Sequence, residues 1–440
     1  MKTAEDVLRI VKELRIKLVQ LWFADILGML KCVTIMDRDL EDVLDCGKGF
    51  DGSSITGYAE AEESDIIAKP EPFTFQVLPW EGDDEPVGRM FCDILLPDGS
   101  PYPGDPRYAL KRVLKEASDM GFTYYIGPEL EYFYFLSNKY PEVIDEGGYF
   151  DLVPNDVANK LRKETTLVLE KMGIPVETSH HEVAPSQHEI DLRYQEALIM
   201  ADYAVTYRMV VKEIAQQKNI YASFMPKPIF GVNGSGMHVH QSLFKGDKNA
   251  FFSSEDKYHL SDVAKCFIAG QLRYAREMCV VLAQWVNSYK RLVPGYEAPV
   301  YVSWAQRNRT ALIRVPLYKP GNENATRAEI RCPDPACNLY LAFAVMLKAG
   351  LEGIKKNYKI ADPVEPNIYK METSELESRK LKSLPDNLME AIKEAEKSAL
   401  VKETLGEHIF TRFIYNKKKE WEESRMQVTS HEIGKYFSIL

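Results

Sequence analysis

Apolar residues Val7, Leu8, Ile10, Val11 and Leu14 recur at helical spacing, and Thr3 with Asp6 supplies a capping box in front of them. From Leu18 to Val33 the pattern turns to strand and turn, with Gly28 punctuating a hairpin. The stretch from Gly49 to Ser54 is loop chemistry, and Phe73–Trp80 and Val87–Leu96 read as further strands. Residues 97–104, PDGSPYPG, form the densest group of breakers in the chain and mark a boundary. Asp105 then caps a helix that opens on Pro106, runs from Arg107 to Met120 and stops at Gly121. A strand around Ile126–Leu136 follows, then a helix from about Asn155 to Met172 and a long helical pattern ending at Gln217. Strands around Tyr221 and Met237, helix near Asp262–Trp285 and loops around Pro294 and Pro320 complete the middle. The remainder is mostly helix and linker, and its charged run Lys417–Glu423 reads as a solvated helix face. No internal repeat is visible.

Composition narrows the class. The chain has 440 residues, 45% hydrophobic and 27% charged, enough for two domains with substantial cores. A formal net charge of -10 argues against a general nucleic-acid binder. The N-terminus lacks the apolar region of a signal peptide, and no apolar run approaches a membrane span. Seven scattered cysteines cannot form a complete disulfide framework, so Cys332 and Cys337 read as buried thiols of a cytoplasmic protein.

Within the strand-like segments, polar side chains stand two residues apart around an apolar one. The pairs are Glu129/Glu131, His238/His240 and Glu329/Arg331, and Glu189, Asp191 and Arg193 keep the same period. In a strand, residues i and i+2 share a face, so these segments predict a common polar cavity. Carboxylates held close in apolar strands need a cation or a proton between them. The stretch 180–189, HHEVAPSQHE, adds Glu182 and three imidazoles, in a chain with only 8 histidines. It lacks the helical H-E-x-x-H of zinc proteases, and carboxylate-dominated ligation favours magnesium or manganese.

Glycines 231, 234 and 236 precede the H-x-H strand and allow close backbone approach to an anion, without matching a dinucleotide or P-loop pattern. Arg291, Arg307, Arg309, Arg314, Arg327 and Arg331 gather downstream, with Glu297 in a Gly/Pro loop among them. Guanidinium forks bind carboxylate and phosphate and offset charge in phosphoryl transfer. Metal-binding carboxylates with an arginine cluster point to phosphoryl chemistry on an acidic substrate.

These motifs together resemble the type I glutamine synthetases, alpha-like subtype. The likeness runs end to end, carried by DGSS at 51–54, GPELEYF at 127–133, HHEVAPSQHE at 180–189, FMPKPIFGVNGSGMH at 224–238 and NSYKRLVPGYEAP at 287–299. It implies an α+β chain, with a small β-grasp domain over residues 1–103 and a catalytic domain over 104–440 built on a curved antiparallel sheet with flanking helices. It also implies ATP-dependent ligation of glutamate and ammonia through γ-glutamyl phosphate.

The resemblance implies at least two Mg2+ or Mn2+ ions, one on Glu129, His238 and Glu329 and another on Glu131, Glu182 and Glu189. Arg291 and Arg331 match glutamate-carboxylate ligands, with the backbone around Gly234 at the amino-acid end. Arg309 and Arg314 match residues that neutralise the transferring phosphoryl group. Phe224, His240 and Ser242 fall where nucleotide binds. Asp51 matches the residue that attracts ammonium, donated by a neighbouring subunit, and Glu297 the flap carboxylate that excludes water. The implied assembly is a dodecamer of two hexameric rings, with small regulatory proteins or 2-oxoglutarate as possible effectors.

Two positions depart from related subtypes. Glu60 stands where the glutamine-inhibited subtype carries an arginine, which speaks against feedback through this residue. Tyr369 aligns with an adenylylation position but lacks its context, and reads as an ordinary tyrosine. Among alternatives, a γ-glutamyl ligase for amines or polyamines shares the fold, but Asp51 and Glu297 favour ammonia. A non-catalytic structural or sensor relative would have no reason to keep six metal ligands. A metal-dependent hydrolase would show no ATP dependence.

Overall fold

The computed structural model describes residues 2–55, 65–82, 84–379 and 381–440; Glu60 lies outside them. Helix α1 (Ala4–Glu13) begins at the Thr3/Asp6 capping box and buries Val7 and Val11. Strands β1 (Leu18–Ala24) and β2 (Leu30–Met36) form the hairpin, with Gly28 at φ +81° in its turn. A Cβ there would also lie 2.7 Å from Asn338 Cα, so glycine serves both the turn and the packing against the rest of the chain. Helix α2 (Leu40–Cys46) leads into β3 (Lys48–Asp51), β4 (Asp65–Pro70), β5 (Gln76–Val77) and β6 (Val87–Leu95). The strand order is β2-β1-β6-β4-β3, with β5 on β6; β1 and β6 run parallel and the other pairs antiparallel. This is a β-grasp arrangement.

The strand expected over Phe73–Trp80 is mostly absent: only Gln76–Val77 pairs, and Pro72–Thr74 is a 3-10 turn. Proline removes a ladder donor, and the buried residues Phe75 and Leu78 stand three apart rather than alternating.

The larger part opens with α3 (Pro106–Asp119), capped by Asp105. Next come β7 (Thr123–Phe135), α4 (Asn159–Lys171), β8 (Val176–His181), β9 (Gln187–Leu192), β10 (Gln195–Glu196), α5 (Ala197–Gln217) and β11 (Tyr221–Ser223). Strands β12 (Met237–Lys245) and β13 (Lys248–Asn249) precede α6 (Asp262–Leu282), α7 (Ser288–Arg291), β14 (Tyr301–Ala305), β15 (Ala311–Arg314) and β16 (Ala328–Ile330). Helices α8 (Leu339–Lys355), α9 (Thr373–Ser378), α10 (Leu388–Glu396), α11 (Ala399–Leu405), α12 (Glu407–Arg425) and α13 (Ser430–Tyr436) complete the chain. The sheet runs β14-β15-β16-β12-β7-β9-β8, antiparallel except for β14 with β15. Helix α8 is apolar nearly all round and buried, packed against α3 and α6.

Helix α4 starts later than expected, because Asp156 turns inward to grip Arg162 with both oxygens (2.9 and 2.6 Å) instead of continuing a helix. The charged run on α12 is only partly solvated. Lys417 is 1% exposed, with its Nζ 3.9 Å over the Trp285 ring and 2.7 Å from Glu420. Its long apolar stem pays for burial that a pattern of charges does not reveal. All seven cysteines are free, Cys332 and Cys337 buried among them. Among the described residues, no helix is long and apolar enough to cross a membrane.

Candidate active site

Strand register assembles the site. Glu129 on β7 lies opposite His238 on β12 and Asp191 on β9; Glu131 lies opposite Glu189; His240 lies opposite Glu329 on β16. The intervening Leu130, Ile190, Val239 and Ile330 are all 0% exposed, packed on the other face. The period-two pairs thus form one polar floor, except that Arg193 lies beyond β9 and is exposed.

Two cavities of about 830 Å³ each open on this floor. The first is lined by Glu129, Glu131, Glu182, Glu189, Gly234, His238, Arg291, Glu297, Arg309, Arg314, Glu329 and Arg331. The second is lined by Glu129, Asp191, Tyr194, His240, Ser242, Arg309, Arg314 and Arg327 among others. Glu129, Asp191, Arg309 and Arg314 belong to both, so the cavities meet at carboxylates and guanidiniums.

Two anticipated residues lie elsewhere. Asp51 is exposed, its carboxylate accepting from Ser53 N (2.9 Å), Ser53 Oγ (2.6 Å) and Ser54 Oγ (3.1 Å), and it lines neither cavity. Phe224 is 6% exposed, packed on the rings of Tyr132 and Tyr207, and lines a separate cavity of about 600 Å³ rather than the one with His240 and Ser242. Tyr194 stands there instead, 60% exposed and edge-on to Tyr125. Its signal in the sequence is an aromatic directly after the polar strand. Tyr149 and Phe150, which no motif singles out, also line the first cavity and lie edge-on to His180, at 5.4 and 4.9 Å.

The electrostatics divide the floor in two. Glu329 is fully buried, bonded by Arg314 Nε and Arg331 Nη1. Burial alone would raise its pKa, but Arg331, then the two histidines and Arg314, hold it down at about 2. Burial likewise opposes ionisation of Glu129, yet His240 and His238 keep it well below the usual carboxylate range. Arg327 Nε donates to His240 Nδ1 at 3.1 Å, which puts the ring proton on Nε2, 2.7 Å from Glu129 Oε1. His240 is therefore a donor to Glu129. His238 has its Nδ1 at 3.3 Å from Glu129 and 3.9 Å from Glu329, and burial and Arg331 lower its pKa toward the neutral form, whereas the ligand atoms of Glu129 and Glu329 that lie within reach of one ion are joined by His240.

The other half is carboxylate-rich. Glu131 accepts from Gly236 N and Gln187 Nε2, each at 2.8 Å, while burial and Glu182 push it up to about 8. Burial and the charges of Asp191, Glu129, Glu131 and Glu182 raise Glu189 well above its ordinary value. Glu182 and Glu189 meet at His180, at 3.0 and 3.5 Å, a grouping that brings in a histidine outside the expected ligand set. Glu189 Oε1 and Asp191 Oδ1 are buried without a hydrogen-bond partner. Unpartnered buried carboxylate oxygens among mutually repelling neighbours fit a hard divalent cation. In the first cavity, Arg291 is fixed by the carbonyls of Arg331, Cys332 and Pro333 at 2.9–3.1 Å. A Cβ at Gly236 would lie 2.5 Å from its Nη2, so glycine is what lets that guanidinium lie against the loop.

Comparison with known proteins decides the family. The model described as "Glutamine synthetase, catalytic domain" matches residues 103–436, and "Glutamine synthetase, beta-Grasp domain" matches residues 15–97. The chain belongs to the glutamine synthetase family. A glutamine synthetase of Methanosarcina mazei is 50% identical over 442 residues, covering 100% of this chain and 98% of that protein. One from Mycolicibacterium smegmatis is 50% identical and covers 99% of both. A cryo-EM structure of Plasmodium falciparum glutamine synthetase superposes with a TM-score of 0.88 at 26% identity, covering 99% of both chains. A GmaS/ADP complex gives 0.89 at 28%, covering 98% of this chain and 99% of the other. As in the glutamine synthetase family at large, the chain's activity is the ATP-dependent ligation of glutamate and ammonia, and the family uses divalent metals.

Proposed function

We propose a division of labour between the two cavities for this ligation. Glutamate occupies the first, its α-carboxylate on Arg291 and Arg331 and its amino-acid end near Gly234; ATP occupies the second, beside His240 and Ser242. The supporting observation is the shared floor: Arg309 and Arg314 line both cavities, so a phosphoryl group passing from nucleotide to γ-carboxylate stays against the same two guanidiniums. Glu129, His238 and Glu329 would hold one Mg2+ or Mn2+, and Glu131, Glu182 and Glu189 another. Such ions supply Lewis-acid polarisation and charge neutralisation. His240 keeps Glu129 oriented, and Arg327 keeps His240 in the donor tautomer.

Glu297 closes the glutamate side and excludes water from γ-glutamyl phosphate. Asp51, exposed and outside both cavities, fits a role in a neighbouring subunit's ammonium site, and hence a homo-oligomer, a dodecamer of two rings. Cytoplasmic placement accords with the free cysteines. Turnover measured with ammonium against alkylamines, with and without ATP, tests the reaction: glutamine and phosphate form only when ATP and ammonium are both present. Turnover confined to alkylamines, or independent of ATP, overturns it.

We assign the adenine contact to Tyr194. Tyr194→Ala is expected to raise the KM for ATP about tenfold, the scale of one lost base–aromatic stack, with the KM for glutamate unchanged. Phe224→Ala should instead lower stability by about 3–5 kcal/mol as a core truncation. The opposite pattern, with Phe224→Ala selectively raising the KM for ATP, would restore the nucleotide role to Phe224.

A further inference from the structure

Tyr369, set aside in the sequence as an ordinary tyrosine, lies in a segment laced to two parts of the active site. Upstream, the Glu365 carboxylate accepts from the backbone N–H groups of Gln306 (2.9 Å) and Arg307 (3.0 Å). Asn308 Nδ2 donates to the carbonyls of Val364 (2.9 Å) and Pro366 (2.6 Å), and Ile368 N donates to Thr310 Oγ1 (3.2 Å). Residues 364–368 therefore clasp the loop that carries Arg309 from both sides. At the other end, a short 3-10 turn over Ile368–Lys370 is capped by Asn367 and presents Tyr369. The Tyr369 hydroxyl donates to the carbonyl of Ala298, the residue next to Glu297. Glu297 itself has φ +55°, a conformation that a non-glycine residue holds only under constraint, and its Oε2 accepts from Asn233 Nδ2 at 2.9 Å.

We infer that Tyr369 is a positioning residue, and that the 364–369 segment couples the Arg309 loop to the Glu297 flap so that the flap stays shut while the acyl phosphate exists. This rests on the proposed role of Glu297. Without it two parasitic routes open from γ-glutamyl phosphate. Water attacks the γ-carbonyl, the C–O bond to phosphate breaks, and glutamate is regenerated with one phosphate released and the water proton passed to solvent. Alternatively the substrate's own α-amine attacks the same carbon, expelling phosphate and forming 5-oxoproline. Both consume ATP without making glutamine. The Tyr369 hydroxyl reaches the flap backbone at Ala298 and its ring lies near Tyr301, so it changes the partition of the intermediate rather than the chemistry that forms it.

The experiment measures phosphate, glutamine and 5-oxoproline together at limiting ammonium. In Tyr369→Phe, which removes one oxygen and keeps the ring, the ratio of phosphate to glutamine is expected to rise about three- to tenfold, the population shift that one hydrogen bond sustains. The KM for ammonium rises and the KM for ATP does not. A purely structural defect lowers both products together and leaves the ratio at that of the unaltered enzyme, which overturns the inference. Lys370→Ala, exposed in the same turn, leaves the ratio unchanged; an equal rise there assigns the effect to the turn and also overturns it. Glu297→Ala separates the layers. If it fails to uncouple, the flap role of Glu297 falls; if it uncouples while Tyr369→Phe does not, only the role of Tyr369 falls.

Discussion

Replacing Glu329 with alanine is expected to abolish ligation, lowering kcat/KM by about three orders of magnitude, the scale lost with one element of a preorganised electrostatic site. Glu329 is 0% exposed and is the anion on which Arg314, Arg331 and His238 converge. Its removal takes one proposed ligand from the ion shared with Glu129 and His238. It also leaves Arg331, itself 6% exposed, without its carboxylate. An uncompensated buried charge costs about 3–5 kcal/mol, so the unfolding midpoint should fall as well. Glu329→Gln separates the two effects, because it keeps the volume and an acceptor for the arginines while losing the charge. It should recover part of the stability and none of the turnover. Steady-state assays with denaturant unfolding on both variants provide the check; full turnover in Glu329→Gln would remove this residue from the metal site.

The second large effect is the pH dependence of metal stabilisation. Burial with Glu182 raises Glu131 to about 8, and burial with four neighbouring carboxylates raises Glu189 well above its ordinary 4.5. Both folded pKa values exceed the unfolded one. In the metal-free protein their contribution to folding is therefore fully present below about pH 4.5 and is lost as pH rises through about 8. A divalent cation reverses this, since it binds the deprotonated cluster and must displace the protons. The rise in Tm on adding Mg2+ or Mn2+ should accordingly be small near pH 5 and grow steadily toward about pH 8. Calorimetry near neutral pH in buffers of different ionisation enthalpy should show protons released as the ion binds. Stabilisation by metal that is flat across this range would mean that the cluster is ionised without it.

Much of the site was legible in the chain because β-strands have a strict period. A polar residue at every second position can serve only one face, so Glu129/Glu131 and His238/His240 announced a shared cavity before any pairing was known. Breakers were equally plain: the capping box at Thr3, the Gly28 hairpin and the Asp105–Pro106 helix start depend on neighbours a few residues away. The expectations that failed were those needing a partner from elsewhere. The run Phe73–Trp80 is apolar for packing and not for pairing, and Lys417 is buried because Trp285 lies beneath it. Phe224 and Tyr194 are both aromatics at strand ends, and only the tertiary structure places them on two different cavities.

The sequence by itself determined the stock of carboxylates, imidazoles and guanidiniums and their shared cavity, because these are properties of residue type and short spacing, and its longer motifs carried the resemblance that implied the family and the two-part α+β architecture. Tertiary structure decided which of them share an environment. Register placed Glu131 against Glu189 and His238 against Glu129, and only then did Glu329 become strongly acidic while Glu189 became a poor acid. Arg327 reaches His240 across 87 positions of chain and sets where its proton lies; Tyr369 reaches Ala298 across 71. Charge, tautomer and closure depend on distance through space, which falls off over a few ångströms and leaves no trace in the order of residues along the chain.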